Sequence, residues 1–562
     1  MNKNGDVIEV PVLIAGGGPV GLSLAADLGW RGQSCMVVER RTGVTDHPRA
    51  TLLGARSMEY FRRWGIAEDV VAAGLPLDYP IHVIFATRLA GYELHRAKFG
   101  TMGEFMSYPP DLWRQVPDAK YSPYFKTQIG QQALEPVLRK FVASFEKVEL
   151  RYGWRLVDYS HDQDGVLARL VEEGSGREQS VRAQFLVGCD GGKSLVREKL
   201  GVRYTGRGAM RPNVSFFFRS ASFLEQHQLG RGTLYFIFSH GSFGVFTAIN
   251  GRDLWNYQHY FLDANVPTRD IDPKEAVWGG MGKPFDFELL RITHWHHHQS
   301  VAERYRSGPV FLAGDSAHLF SPTGGVGMNT GIGDAINLSW KLDAVLSGWA
   351  GRDLLDSYEV ERRPIGVRNS EEAARNADRI DAAMRVTPPN VEEPGPEGDA
   401  AREEFAKTVR TLARQFNASG LQLGHRYEGS PICIPDGTPA PPDDPNVYDP
   451  VARPGSRAPH LWLKDGRSTL DLFSGREFTL LRLGADRPDA SALDTAARRL
   501  GVPLVTRDVE QEDVRALYGA DLVLVRPDGY VAWRGDRLPE TVEGLLQTVR
   551  GEPVTSMLAL PH

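Results

Sequence analysis

The chain has 562 residues, 41% hydrophobic and 24% charged, with a formal net charge of -6. That balance excludes a disordered or membrane-embedded protein and argues against a nucleic-acid surface as the molecule's main business. Three distant cysteines, Cys35, Cys189 and Cys433, exclude a disulfide framework, a zinc ribbon and a dithiol centre, and they fit a reducing cytoplasm.

At roughly 150 residues per domain, the length suggests about three domains. Met1 to Val10 lacks the apolar core of a signal peptide, and no apolar run is long enough to span a membrane. Val12 to Ala15 reads as a buried strand that stops at Gly16, Gly17 and Gly18. A helical pattern follows through Leu22, Leu24, Ala25 and Leu28, and Cys35 to Val38 forms a second strand ending in Glu39. Gly16, Gly18 and Gly21 have the spacing G-x-G-x-x-G, with Pro19 inside it. The first glycine permits the turn, the second lets backbone approach a pyrophosphate, and the third lets helix pack on strand. The helix N-terminus offers N–H groups to phosphates, and Glu39, 23 residues after Gly16, is placed to accept from ribose hydroxyls. This is a dinucleotide site, undecided between NAD and FAD.

Pro48 marks a loop, and Leu52 to Trp64 reads as a helix flanked at its start by Arg49 and Arg56. Residues 76–108 turn strand-like, an excursion into a second domain. Gln131 to Phe141 is helical, and Val148 to Glu173 alternates as β structure. The strand Phe185 to Gly188 then delivers Asp190 and Gly191 to a turn, with Ser194 and Arg197 at the head of the next helix; a carboxylate at a strand end is where an open α/β sheet collects ligands.

From Val202 to Thr293 short aromatic strands dominate, a second sheet that is either packed core or one wall of an apolar pocket. His294, Trp295, His296, His297 and His298 invite a metal reading, but neighbouring strand residues face opposite ways and no acid cluster accompanies them, so no metal is expected. Val310 to Ala313 is a strand ended by Gly314 and Asp315. Pro322, Gly324, Gly325 and Gly327 make a side-chain-poor loop feeding a helix from Met328 and Asn329 to Leu346, which would present N–H donors to an electron-rich edge such as a flavin's. Residues 386–400 read as an exposed linker and Arg402 to Phe416 as a helix. Residues 434–459 hold eight prolines and lead to a small β-α-β domain whose helix near Ser491 would be N-capped by that serine.

Three stretches together resemble the class A flavoprotein monooxygenases, the aromatic hydroxylases: the glycine motif with Glu39, Asp190-Gly191 with Arg197, and Gly314-Asp315 with Pro322 and Gly325 to Asn329. The resemblance covers about residues 8–385 and points to the branch of phenol hydroxylase, 2,4-dichlorophenol monooxygenase and the polyketide hydroxylases. It implies an α/β fold: a Rossmann-type FAD-binding domain (1–75, 109–201, 294–385), an inserted β-rich substrate domain (76–108, 202–293), a helix and linker (386–454), and a C-terminal thioredoxin-like domain (455–562) lacking cysteines. FAD would be held by Gly16, Gly18, Pro19, Gly21, Glu39, Arg40, Arg49, Arg56, Gln131, Asp190, Gly314, Asp315, Pro322, Gly325, Gly327, Met328 and Asn329, with Asp190 also serving NADPH or NADH. The implied activity is hydroxylation of a phenolic or related aromatic compound with NAD(P)H and O2 through a C4a-hydroperoxyflavin, in a cytoplasmic enzyme whose assembly would be a homodimer.

The acid that phenol hydroxylase carries after its first FAD helix falls near Thr51 here, so the residue that ionises the substrate does not carry over. Tyr235, His240 and Tyr257 are the candidates from the second sheet, with His47 beside them. An epoxidase, a halogenase (its W-x-W-x-I-P motif is absent) and a catalytically silent flavin-binding interaction protein are the rival readings.

Overall fold

The computed structural model describes residues 7–43, 45, 47–107, 116–240, 242–261 and 267–552. Strand Ile8–Ala15 sits centrally in the first sheet, flanked by parallel neighbours Cys35–Glu39 and Glu178–Gly188. Val148–Tyr152 and Val310–Leu312 extend the parallel set outward, and Arg306–Ser307 closes one edge antiparallel. Helices Pro19–Trp30 and Gly327–Leu346 pack on each other against this sheet, as the near-continuous apolar character of its strands requires.

The second sheet has eight strands in the order His318–Leu319, Glu288–Ala302, Tyr204–Arg219, Leu254–Tyr260, Ser242–Ala248, Leu234–Ser239, Val83–Ala86, Glu93–Ala97. All pairings are antiparallel except Leu234–Ser239 with Val83–Ala86. The excursion at residues 83–97 thus supplies the last two strands of a sheet built mostly 120 residues or more later in the chain. Strand Glu288–Ala302 runs through the boundary expected at 293/294, because its pairing with Tyr204–Arg219 continues to Ala302. The junction expected at 108/109 lies outside the described residues.

Both faces of this sheet are apolar. Its rear face packs Phe216, Phe218, Tyr235, Phe246, Trp255 and Tyr257 beneath helix Pro273–Met281. That helix can approach because Gly280 has no side chain: a Cβ there would lie 2.8 Å from Phe246. Its start is fixed by Asp272, which accepts from the Lys274 and Glu275 backbone N–H groups.

The C-terminal domain has strand order Leu504–Val509, Phe478–Leu483, Leu522–Val525, Val531–Gly535, with only the first pair parallel. Helices Ser491–Leu500, Glu512–Tyr518 and Val542–Val549 complete a thioredoxin-like β-α-β-α-β-β-α order.

Several local expectations change. Leu52–Leu53 is a strand paired with Thr127–Gln128, and the helix begins at Ala55. The expected linker already turns helical at Pro396, and Val391 is fully buried, because its apolar side chain joins the core with Phe405 and Val409. Ser491 is the first helical residue and Ala490 holds the cap position; Asp489 accepts from the Ser491 N–H and hydroxyl in the turn before the helix.

Candidate active site

The glycine turn is shaped by what its missing side chains would strike. A Cβ on Gly16, which adopts φ +108°, would lie 2.2 Å from the Cys189 carbonyl oxygen, and one on Gly21 would lie 1.9 Å from the Gly16 oxygen. On Gly18 a Cβ would meet nothing within 4 Å, since this side of the turn faces open space. Gly18 caps helix Pro19–Trp30 without any side-chain bond, so the positive end of that helix is available to an anion. Glu39 accepts from Gly17 N–H at 2.8 Å and from the Arg41 backbone and guanidinium, each at 3.0 Å. Burial alone would raise its carboxyl, but these bonds and the Arg41 charge outweigh burial and lower it, so Glu39 stays ionised at the strand end.

Across the turn, Asp190 caps its strand end. One carboxylate oxygen accepts from Val196 N–H at 3.2 Å, whereas Oδ1 is enclosed and has no partner. Burial raises this carboxyl, and bonds from Ser194 and the backbone offset that only in part. The Gly314–Ser316 turn is held from behind by Asp334, which accepts from Gly314 N–H at 3.1 Å, His318 Nε2 at 2.7 Å and Arg362 Nε at 2.9 Å.

The loop after Pro322 depends on Gly324 and Gly325, both at positive φ, and a Cβ on Gly325 would press to 2.8 Å from Leu52. Asn329 staples the loop: Oδ1 accepts from Gly54 N–H and Ser57 Oγ, each at 2.7 Å, while Nδ2 donates to the Leu52 and Gly325 carbonyls. Helix Gly327–Leu346 again has no side-chain cap.

These parts line one continuous cleft of about 680 Å³. Gly16, Gly18, Pro19, Glu39, Arg40, Arg49, Gln131, Asp190, Asp315, Pro322, Gly325, Gly327 and Met328 line one end of it. The other end is walled by the front face of the second sheet, with Leu234, Phe236, Val245, Thr247, Gln258 and Tyr260, and by Phe320, Ile380 and Phe416. Tyr260 donates to Gln258 Oε1 at 2.8 Å, and Lys126 Nζ donates to the Phe416 carbonyl at 3.0 Å.

A family described as "FAD binding domain" matches residues 9–373, and "Aromatic-ring hydroxylase, C-terminal" matches residues 451–553. The chain belongs to the FAD-dependent aromatic-ring hydroxylases, the class A flavoprotein monooxygenases. It is 34% identical to a putative polyketide hydroxylase of Streptomyces halstedii over 100% of this chain and 99% of that one. It is 35% identical to a 4-methyl-5-nitrocatechol 5-monooxygenase of a Burkholderia species over 96% of each. Among solved structures, RebC with bound 7-carboxy-K252c superposes with a TM-score of 0.88 at 37% identity, covering 98% of this chain and 100% of that one. FAD is therefore the cofactor, NAD(P)H the co-substrate and a small aromatic molecule the substrate of this hydroxylase. No helix among the described residues is long and apolar enough to cross a membrane.

The residues present fit FAD: two uncapped helix N-termini and a turn that a Cβ would fill face one cleft, and Asp190, which lines it, has an enclosed carboxylate oxygen without a partner. Other expected residues of the hydroxylase lie elsewhere. Gly21, Gly314 and Asn329 do not line the cleft; they let its walls approach or tie them together. Arg56 is buried away from it, paired with Glu59 at 2.7 Å and donating to the Asp528 carbonyl of the C-terminal domain at 2.7 Å.

Tyr235 and Tyr257 both belong to the rear face of the second sheet, Tyr235 donating to the Gly230 carbonyl at 2.7 Å. Alternation along the strand gives the cleft Leu234 and Phe236 instead. His240 is exposed at a hairpin end beside the Thr387 carbonyl, and His47 packs edge-on against Phe217. The cleft-facing polar residues Thr247, Gln258, Tyr260 and Ser321 escaped the sequence reading, although strand parity and proximity to Pro322 were signals for them.

Proposed function

We propose that the cleft holds FAD along its glycine-turn end and a phenolic aromatic ring against the sheet end, and that the enzyme hydroxylates that ring with O2. The continuity of the cleft from Gly18 through Pro322 to Phe236 and Gln258 carries this reading, because it lets one cavity bring cofactor and substrate together. In it the Gly16–Gly21 turn and its helix receive the pyrophosphate, Glu39 takes ribose hydroxyls, and Asp190 uses its free oxygen toward the cofactor's polar chain. Arg40, Arg49 and Gln131 supply charge and hydrogen bonds at the mouth, and Asp315 stands opposite them. Pro322, Gly325, Gly327 and Met328 receive the isoalloxazine ring. FAD, when bound, accepts hydride from NAD(P)H and activates oxygen.

The sheet wall has two tasks. Leu234, Phe236, Val245, Phe320 and Phe416 bury the aromatic ring and exclude water, while Thr247, Gln258 and Tyr260 fix its polar substituents. Reduced nicotinamide supply and three isolated thiols support a cytoplasmic setting.

The reading is tested by following NAD(P)H oxidation and product formation with and without phenols on FAD-loaded protein. Phenol-stimulated oxidation with an oxygenated product supports it; flavin reduction that ignores phenols and yields peroxide alone overturns it.

A further inference from the structure

Behind the cleft wall lies a buried polar group that the reading of cofactor binding leaves unused. Strand Glu288–Ala302 carries His294, His296 and His298 on one face and Trp295 and His297 on the other, so strand parity separates one histidine from the run. His297 is fully buried, stacked on Trp295 with ring centroids 4.9 Å apart. Its Nδ1 lies 2.7 Å from Ser321 Oγ, and its Nε2 lies 3.0 Å from Asn213 Nδ2. Ser321 lines the cleft directly before Pro322.

The Asn213 amide is the orienting element. Asn213 Oδ1 has no partner in the orientation that sets Nδ2 against the ring. Turning the amide by 180° puts Oδ1 against Nε2, which then carries the hydrogen, and leaves Nδ1 as the acceptor for the Ser321 hydroxyl. The same orientation also serves the imidazolium, whose two N–H groups would meet Asn213 Oδ1 and Ser321 Oγ. Thr323 Oγ1 lies 3.0 Å from Ser321 Oγ and 2.5 Å from the Ala373 carbonyl; with its hydrogen on that carbonyl, the Ser321 hydroxyl is directed by His297 and Thr323 at the edge of the cleft.

Resting on the reading of the cleft as a phenol hydroxylation site, we propose that Ser321 is a catalytic residue that takes the phenolic proton while passing its own to His297 Nδ1. One O–H bond of the substrate breaks and one forms on Ser321; the serine O–H breaks and an N–H forms on His297. Phenolate remains in the cleft and imidazolium behind it, with no electrons transferred. The proton returns by the same two steps when the product oxygen is reprotonated, so no path to solvent is needed.

The charge placement suits a loan rather than storage. His297 is faced by Arg211 across the strand pair and by Tyr260 from the strand beyond it, with His296 and His298 adjacent on the opposite face of its own strand, and Arg211 is ion-paired to Asp381 of helix Ser357–Arg385. Burial first, then the Arg211 charge, lowers the affinity of His297 for a proton well below the usual histidine range. The resting ring is neutral and able to accept.

The test compares wild type with Ser321→Ala, Ser321→Thr and His297→Asn, each loaded with FAD, by rate of phenol hydroxylation against pH, with flavin content and melting temperature read on the same preparations. The expected result is a roughly 10²-fold loss at neutral pH in the alanine and asparagine variants, consistent with a lost general base. The loss closes as pH passes the free phenol's own pKa, about 10, and the threonine variant stays near wild type. A loss that persists at every pH, or no loss at all, overturns the assignment. Should His297→Asn fail to hold flavin, the two serine variants decide the outcome, because their change is one atom at the cleft surface. A wild type that hydroxylates no phenol would instead overturn the reading of the whole site, and this proposal with it.

Discussion

The cleft and the junction with the C-terminal domain are both buried and both rich in charge, yet they treat charge in opposite ways. At the junction the charges are matched within the chain. Glu361 accepts from Arg526 at 2.6 and 3.0 Å, Lys341 at 2.7 Å, Asn337 at 2.7 Å and Ser430 at 2.6 Å, while Arg457 bonds Glu59 and donates to Tyr448 at 3.0 Å. At the cleft Asp190 Oδ1 is left without a partner and two helix N-termini are uncapped. A buried charge that is satisfied internally holds structure; one that is left open awaits a ligand. This distinction places Arg56 with the junction, and it gives the cysteine-free C-terminal domain a part in holding helix Gly327–Leu346, whose first residues line the cleft, and helix Ala55–Trp64, which is tied to it through Asn329.

The largest expected effect breaks the junction. Glu361→Gln leaves Arg526 and Lys341 facing each other without their shared counter-ion, so unfolding free energy should fall by about 3–5 kcal/mol, read by urea denaturation of the FAD-loaded protein. A loss under 1 kcal/mol would mean the junction is not closed in the way described. Next comes Asp190→Asn, which should act with opposite signs on the two states. The cofactor-free protein should gain about 1–3 kcal/mol because a desolvated charge is removed, while flavin retention on gel filtration falls. A variant that is less stable and binds FAD normally would contradict the ligand-awaiting role.

Smaller effects separate the two faces of the second sheet. Tyr235→Phe removes one bond to the Gly230 carbonyl and should cost about 1 kcal/mol, with hydroxylation unchanged. Differential acid titration of the cofactor-free protein is smaller still. The folded-state pKa of Glu39 is depressed, so its contribution is present above the unfolded value near 4.3 and is lost as pH falls through the folded one. The folded-state pKa of Asp190 is raised, so its contribution is present below the unfolded value near 3.9 and is lost as pH rises through the folded one. Glu39→Gln should therefore flatten the acid loss of stability and Asp190→Asn should steepen it; identical urea midpoints from pH 3 to 6 would contradict both directions.

The parts of the site legible in the sequence are those that are local demands on backbone. Gly16, Gly18 and Gly21 announce a turn, Glu39 and Asp190 end strands, and Gly324 and Gly325 need a conformation other residues rarely adopt. Side-chain roles set by distant partners were not legible. Arg56 reads as a cofactor contact until Asp528, 472 positions later, folds against it. Tyr235 reads as a pocket residue because both faces of its sheet are apolar, so alternation reveals which residues share a face without revealing which face meets the cleft. His297 hides among four other residues of similar character, and its burial becomes visible only when pairing with Tyr204–Arg219 sets the register.

The central claim is that the front face of the second sheet, and not its rear, is the substrate wall. It is tested most directly by coupling: the ratio of hydroxylated product to NAD(P)H consumed, measured with flavin content on Phe236→Ala and Tyr235→Phe. The account predicts that Phe236→Ala keeps FAD and continues to oxidise NAD(P)H but releases hydrogen peroxide in place of product, while Tyr235→Phe stays coupled. A coupled Phe236→Ala enzyme beside an uncoupled, flavin-loaded Tyr235→Phe enzyme would contradict it.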